Sequence, residues 1–148
     1  MKSIIKERLI NKSREYLYQK WTTKEGLNSF FSADNTIEII PNGKYEIYFS
    51  TDKSIAERGS EGCVVLSFIP NQMFSFTWNT PPQYKELRYS GYHTWVVLEF
   101  IPLNNNTLVR LTNLGYPNNK TWDLAYNYFD KAWDYVLDNL VKACIKDS

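Results

Sequence analysis

From Trp122 onward the large apolar residues fall at Trp122, Tyr126, Phe129, Trp133, Val136, Leu137, Leu140 and Cys144. That is the i, i+4, i+7, i+11 spacing of one helical face. A second row, Ala125, Tyr128, Ala132 and Tyr135, widens the face, and Asp123, Asn127, Asp130, Asp134 and Asp138 form its wet side. Upstream, almost everything reads as strand. A long aromatic helix that ends a run of strands has one economical position, lying across a curved sheet. The gap beneath such a helix is a natural seat for an apolar ligand.

Composition narrows the partners. The 148 residues fit one domain, and 16% of them are aromatic. So much ring surface either fills a large core or lines a cavity. The formal net charge is +1 with scattered lysines, too balanced for nucleic acid or an anionic membrane as the main partner. The N-terminus, MKSIIKERLI, is too short and too charged for a signal peptide, and no apolar run reaches the length of a membrane span. A cytoplasmic protein without membrane insertion is expected, with Cys63 and Cys144 as reduced, buried thiols.

Ser3 to Ile10 reads as a first strand. Asn11 or Ser13 caps a short helix to about Lys20, and Thr22 or Thr23 restarts a second through Leu27, Phe30 and Phe31. Ala33–Ile40 and Lys44–Ser50 form a hairpin around Pro41-Asn42-Gly43, with Gly43 free to take positive φ. In its second strand Tyr45, Ile47 and Phe49 share one face. Thr51–Glu61 is a polar loop. The continuous apolar run Gly62–Ile69 reads as a central strand. Met73–Trp78, Tyr92–Ile101 and Thr107–Leu114 follow as strands. Asn79–Gly91, with Pro81-Pro82 and no period, reads as a rim loop. The expected fold class is α+β, one strongly curved antiparallel sheet gripping the C-terminal helix, in a single domain over residues 1–148.

That order, with these residues at its junctions, resembles the START-like, helix-grip superfamily. More closely it resembles the family named after the C-terminal domain of the activator of the Hsp90 ATPase. Tyr18 and Trp21-Thr22-Thr23, then Leu27 and Phe30-Phe31, resemble the two short helices. Gly62–Pro70 with Phe74–Trp78 and Asn79-Thr80-Pro81-Pro82 resembles the strand–Pro–strand–Trp signature. Thr94–Phe100, Val109–Gly115 and the closing helix, Tyr128-Phe129 through Leu140, complete the match. Phe30 stands in place of a common Trp, Asn42 in place of a Gly, and Asn113 where many relatives carry His. The last change removes a titratable group near the start of the helix. The resemblance implies the helix-grip fold and usually a cavity, but no single function.

Chemistry is sparse in the sequence. One His and two distant Cys give no zinc spacing, and no loop clusters carboxylates for calcium. No phosphate loop or dinucleotide fingerprint occurs. No cofactor, no metal and no catalytic residue is assigned, and the reading leans away from an enzyme. His93 alternates with the core face and is expected outside the grip, as are Glu38, Glu46, Glu99 and Arg110, the last within reach of Glu99. The candidate ligand-binding residues are Phe31, Tyr45, Phe49, Phe76, Trp78, Trp122, Tyr126, Phe129 and Trp133. Tyr45, Tyr126 and the Trp78 N–H are the available polar handles, while Val136, Leu137 and Leu140 read as core. Packing alone would also account for the aromatic set. Trp95 and Val97 fall on the outer face, which leaves a homodimer through that face or a shifted register open.

Three functions follow in order. The first is binding of a small hydrophobic or aromatic ligand between sheet and helix, admitted beside Asn79–Gly91. The second is a chaperone-modulating interaction domain; against it, eukaryotic activators carry a separate N-terminal module. The third is a cyclase- or hydrolase-like enzyme. Deleting the residues after Thr121 is expected to bare the concave apolar face and leave an aggregating chain. A truncation that stays soluble and melts cooperatively would contradict the fold.

Overall fold

The helix read from the aromatic repeat spans Lys120–Lys146 (α4) in the computed structural model, which describes residues 1–148. Asn119 caps it, its side-chain oxygen accepting from the Trp122 N–H at 2.9 Å and so satisfying a donor that the first turn leaves free. The buried face is the predicted row with one exchange, Ala125 in place of Tyr126.

Seven strands precede it: β1 (Lys2–Ile10), β2 (Asp34–Ile37), β3 (Tyr45–Tyr48), β4 (Val65–Ile69), β5 (Met73–Trp78), β6 (Thr94–Leu103) and β7 (Asn106–Tyr116). Three short helices interrupt them: α1 (Arg14–Thr22), α2 (Lys24–Asn28) and α3 (Lys85–Arg88). Ser13 and Thr23 are the caps used, accepting from the Tyr16 and Gly26 N–H groups. The antiparallel sheet runs β1-β7-β6-β5-β4, and β2-β3 form a separate hairpin. Backbone bonds from Tyr45 N–H to Cys63 O and from Val65 N–H to Gly43 O join that hairpin to the start of β4. Phe74, Phe76 and Trp78 of β5, Val96, Leu98 and Phe100 of β6, and Val109 and Leu111 of β7 are all buried with the α4 row in one core. Leu17, Trp21 and Leu27 of the short helices close its end. The architecture is the expected α+β helix grip.

Three local expectations change. The run Gly62–Ile69 is not a central strand, because β4 is the edge of the five-stranded sheet and Leu66 and Ile69 are exposed. A bulge between Val65 and Phe68 breaks the alternation there, so an apolar run no longer needs two covered faces. The Ser75 hydroxyl binds the Ser67 N–H and carbonyl that the bulge leaves free. In the hairpin turn, Asn42 takes the left-handed conformation, with φ 65°. Gly43 is needed for a different reason: a Cβ there would lie 2.1 Å from the Glu38 carbonyl oxygen. Phe49 does not continue the face of Tyr45 and Ile47. The strand ends at Tyr48, and Phe49 is 55% exposed.

Trp95 does project from the outer face, yet its ring is half-buried against this same chain. Gly115, at φ 92°, sits beneath it, and a Cβ at that position would come within 2.3 Å of the ring. Arg110 pairs with both Glu7 and Glu99 on the same face.

The wet side of α4 is only partly wet. Lys2, Lys6 and Arg8 point inward from β1, the edge strand over which the helix lies. Lys2 pairs with Asp123, Lys6 with Asp130 and Asp134 at 3.1 and 2.9 Å, and Arg8 with Asp134 and Asp138 at 3.0 Å each. Each such half-exposed pair contributes at most about 1 kcal/mol, but the ladder fixes which side of the helix meets β1. The bond from Lys6 holds the Asp134 carboxyl below its usual value of 3.8; burial opposes this, and Arg8 adds to it. A depressed carboxylate stabilises the fold above that ordinary value, and the contribution is lost as pH falls through the lower folded-state value. Lys6→Met/Arg8→Met should therefore lose less melting temperature than the parent between about pH 7 and about pH 3. Equal losses in the two proteins would remove the ladder from the acid response.

Candidate functional site

Beside α4, on the side away from β1, the grip does not close. A cavity of about 380 Å³ lies between the helix, the chain after β5 and the segments that follow α2 and β3. That volume falls within the range of small-molecule sites. Its apolar wall is built by Phe31, Trp78, Phe129 and Trp133. Phe31 is the hub of this wall, with its ring centre 5.7 Å from Trp78, 5.8 Å from Trp133 and 5.9 Å from Phe49. Phe49, Tyr128 and Tyr135 are exposed and form the mouth.

Five of the nine residues expected from sequence line this space: Phe31, Phe49, Trp78, Phe129 and Trp133. The other four lie elsewhere. Tyr45 is fully buried in the core, where its hydroxyl donates to the Trp21 carbonyl at 2.6 Å. Phe76 packs between Tyr45 and Trp78. Trp122 is covered by Tyr92 and Tyr116. Tyr126 leans toward β1, donating to the Ser3 carbonyl with Lys2 over its ring. The helical period places Trp122 and Tyr126 on α4 and the strand period places Tyr45 and Phe76 on β3 and β5, but what covers each ring is decided by a neighbouring element that neither period encodes. Val136, read as core, belongs to the core and also lines the cavity.

The polar half of the wall was missed. Asn79–Gln83, part of the expected rim, forms one side, and Glu57, Arg58 and Gly59 form another. Arg88 of α3 ties the two together. Its guanidinium is only 6% exposed; it donates to the Thr80 and Gly59 carbonyls and pairs with Glu57 and Glu61 at 3.0 and 3.1 Å. Burial works to raise the Glu61 carboxyl, but three backbone N–H donors and Arg88 outweigh it and its pKa is lowered. The signal for Arg88 was faint: one basic residue in a stretch without a period. The Trp78 indole N–H and the Thr80 hydroxyl, both in buried residues, have no hydrogen-bond partner.

Asn113 is not exposed on any cavity wall but sets one of them. It is fully buried; its Nδ2 donates to Thr94 Oγ1 and the Trp95 carbonyl, and its Oδ1 accepts from Tyr116 Oη and Trp133 Nε1. The side chain is a structural pin with every group used. His93 does not line the cavity; burial lowers its pKa, and the charge of Arg88 adds to that. Cys63 and Cys144 are free and buried, and burial pushes the Cys63 thiol up to about 12. No three His, Cys, Asp or Glu side chains are grouped as a metal ligand set, and no helix is long and apolar enough to cross a membrane.

A curved sheet closed by one long helix, with an aromatic cavity at its open side, defines a helix-grip domain. The chain belongs to the family described as activator of Hsp90 ATPase homolog 1-like protein, whose sequence model matches residues 11–144. No curated protein matches it in a sequence search. Among solved structures it is similar to protein MLL2253 from Mesorhizobium loti, at 20% identity and TM-score 0.79, with 99% of both chains covered. It is similar to the Aha1 dimer from Colwellia psychrerythraea, at 21% identity and TM-score 0.71 over 97% of this chain and 96% of that one. CalU16 from Micromonospora echinospora follows at 14% identity and TM-score 0.72, over 96% and 75%. At these identities the likeness speaks for the fold.

Asn113→Ala should cost about 2–5 kcal/mol, because two buried donors lose their acceptor at once. Chemical denaturation measures it. A cost near that of an ordinary surface change would mean that Trp133 is held by packing alone.

Proposed function

We propose that this protein binds a small hydrophobic or aromatic ligand in the cavity beside α4, using Phe31, Phe49, Trp78, Phe129 and Trp133. The observation that carries the reading is the open cavity of about 380 Å³ walled by those rings. A core meant only for packing closes such space, since protein interiors approach crystal density. The one carboxylate of the lining, Glu57, is ion-paired with Arg88 at 3.0 Å. Binding rather than turnover is therefore the favoured role, in keeping with reduced thiols and a cytoplasmic location.

Native mass spectrometry of gently purified protein tests this directly. A small extra mass that disappears on denaturation is expected. Ala132 lines the cavity, so Ala132→Trp should fill it, remove the extra mass and leave the fold intact by circular dichroism. A bare mass together with no change in melting temperature for any apolar compound would end the reading, because a ligand raises stability by mass action.

A second copy of the chain is a further proposed partner. Ile5 and Leu9 of β1 are exposed on the same outer sheet face as Val97 and Trp95 of β6, with β7 between them, and the Colwellia relative was solved as a dimer. The same spectrum reads the oligomer, and Ile5→Lys/Leu9→Lys should then return a monomer.

A further inference from the structure

The aromatic cavity does not end at its mouth. A second, more open hollow of about 490 Å³ runs on toward the C-terminal end of α4, and Phe31, Phe49, Tyr135 and Asn139 border both spaces. The lining changes along the way. Trp78, Phe129 and Trp133 belong to the first space only, while Asn28, Ser29, Lys142 and Lys146 belong to the second. From Trp133 to Lys142 the helix rises about 14 Å, and Lys146 stands one turn further on. The open flank of α4 is thus one groove, apolar at one end and polar at the other.

The charge at the polar end is uncompensated. No Asp or Glu borders the second hollow. Lys142 and Lys146 are exposed, and neither forms an ion pair. The carboxylates nearest to them on the helix are engaged elsewhere, Asp138 by Arg8 and Asp147 by Lys20 and Tyr16. The pairing of Asp123, Asp130, Asp134 and Asp138 with β1 draws the acidic side of α4 away from the groove. A helix C-terminus favours a cation in its last turn, which accounts for Lys146 but not for Lys142. Two like charges four residues apart on a helix repel each other, and an anion seated between them relieves that repulsion.

We infer that the ligand is an elongated amphiphile. Its apolar end lies against Trp78 and Trp133, its body passes Phe49 and Tyr135, and an anionic end group, a carboxylate in the simplest case, meets Lys142 and Lys146. This rests on the proposed ligand-binding role and extends that same site along the helix. The rings supply the burial. The lysines, exposed to water, supply orientation more than affinity.

Decanoate and the neutral 1-decanol, titrated against the full chain at neutral pH by calorimetry, test the assignment, with the native mass spectrum of the purified protein beside them. Both compounds are expected to bind the parent. Lys142→Gln/Lys146→Gln changes two exposed residues and should weaken decanoate at least about threefold in low salt, by less in high salt, while decanol keeps its affinity. Ala132→Trp, at the apolar end, should abolish binding of both. An unchanged decanoate affinity in the glutamine variant would overturn the anionic end at the lysines and leave the apolar cavity standing. An equal loss for decanol would overturn it too, since the lysine stems rather than their charge would then be responsible. Parental affinity of Ala132→Trp for both compounds would overturn the groove, because the chain would lie outside the aromatic cavity. If neither compound binds while the spectrum shows a small extra mass, the amphiphile class is overturned; if neither binds and the mass is bare, the ligand-binding role itself falls.

Discussion

The hydrogen bond from the Trp133 indole to the Asn113 side chain, 3.0 Å long and buried, sets the position of α4 over the sheet. Apolar burial alone would let a helix slide or roll, because the hydrophobic effect has no direction. An amide with four partners does not permit that freedom. Asn113 takes donors from α4 and from Tyr116, and gives its own to Thr94 and Trp95 on the neighbouring strand. The net worth of such bonds is modest, but leaving them broken inside the core is costly. The ring they hold also contacts Phe31 and Trp78, so the pin that registers the helix also builds the cavity wall.

The two flanks of α4 are closed by different physics. Toward β1 the helix presents aspartates and the strand presents Lys2, Lys6 and Arg8, and charge pairing seals the seam. On the other flank no residue of β1, β6 or β7 reaches the cavity. There the neighbours are the end of β5, the chain after the β2–β3 hairpin and the residues following α2. Irregular segments have no ladder to satisfy their backbone groups, which must find other partners when buried. The seam on that side remains open, and the opening is lined with what the adjoining elements supply: rings from the helix and strand, polar groups from the loops.

This division explains what could be read from the sequence. The helix, its buried row, the strands and the outward Glu99–Arg110 pair follow from periods of 3.6 and 2, which survive any detail of packing. Phe31 and Trp78 followed from placing aromatic residues at the rim, and Phe129 and Trp133 from the aromatic row of the helix. Tyr126 and Trp122 were misplaced because a helical wheel gives direction but not cover: Ser3 and Lys2 take one ring, Tyr92 and Tyr116 the other. Phe49 was misread because alternation predicts a face only while the strand lasts, and β3 stops one residue earlier. Arg58, Thr80 and Arg88 carry no period at all. Their proximity is created by the chain meeting itself across the loops.

Arg88 shows why the polar side of the cavity is more than a rim. A buried arginine between two carboxylates is weak evidence of stabilisation, since desolvation offsets much of the attraction. Its value here is geometric. It accepts no hydrogen bond and offers five donors in a fixed plane, and it spends them on the carbonyls of Gly59 and Thr80 and on Glu57 and Glu61. Two loops without regular structure are thereby held at one separation. Remove that brace and the apolar wall has every reason to collapse onto Phe49 and Tyr135. The cavity is therefore framed by polar groups from the loops and walled with rings from the helix, and neither half would make that space without the other.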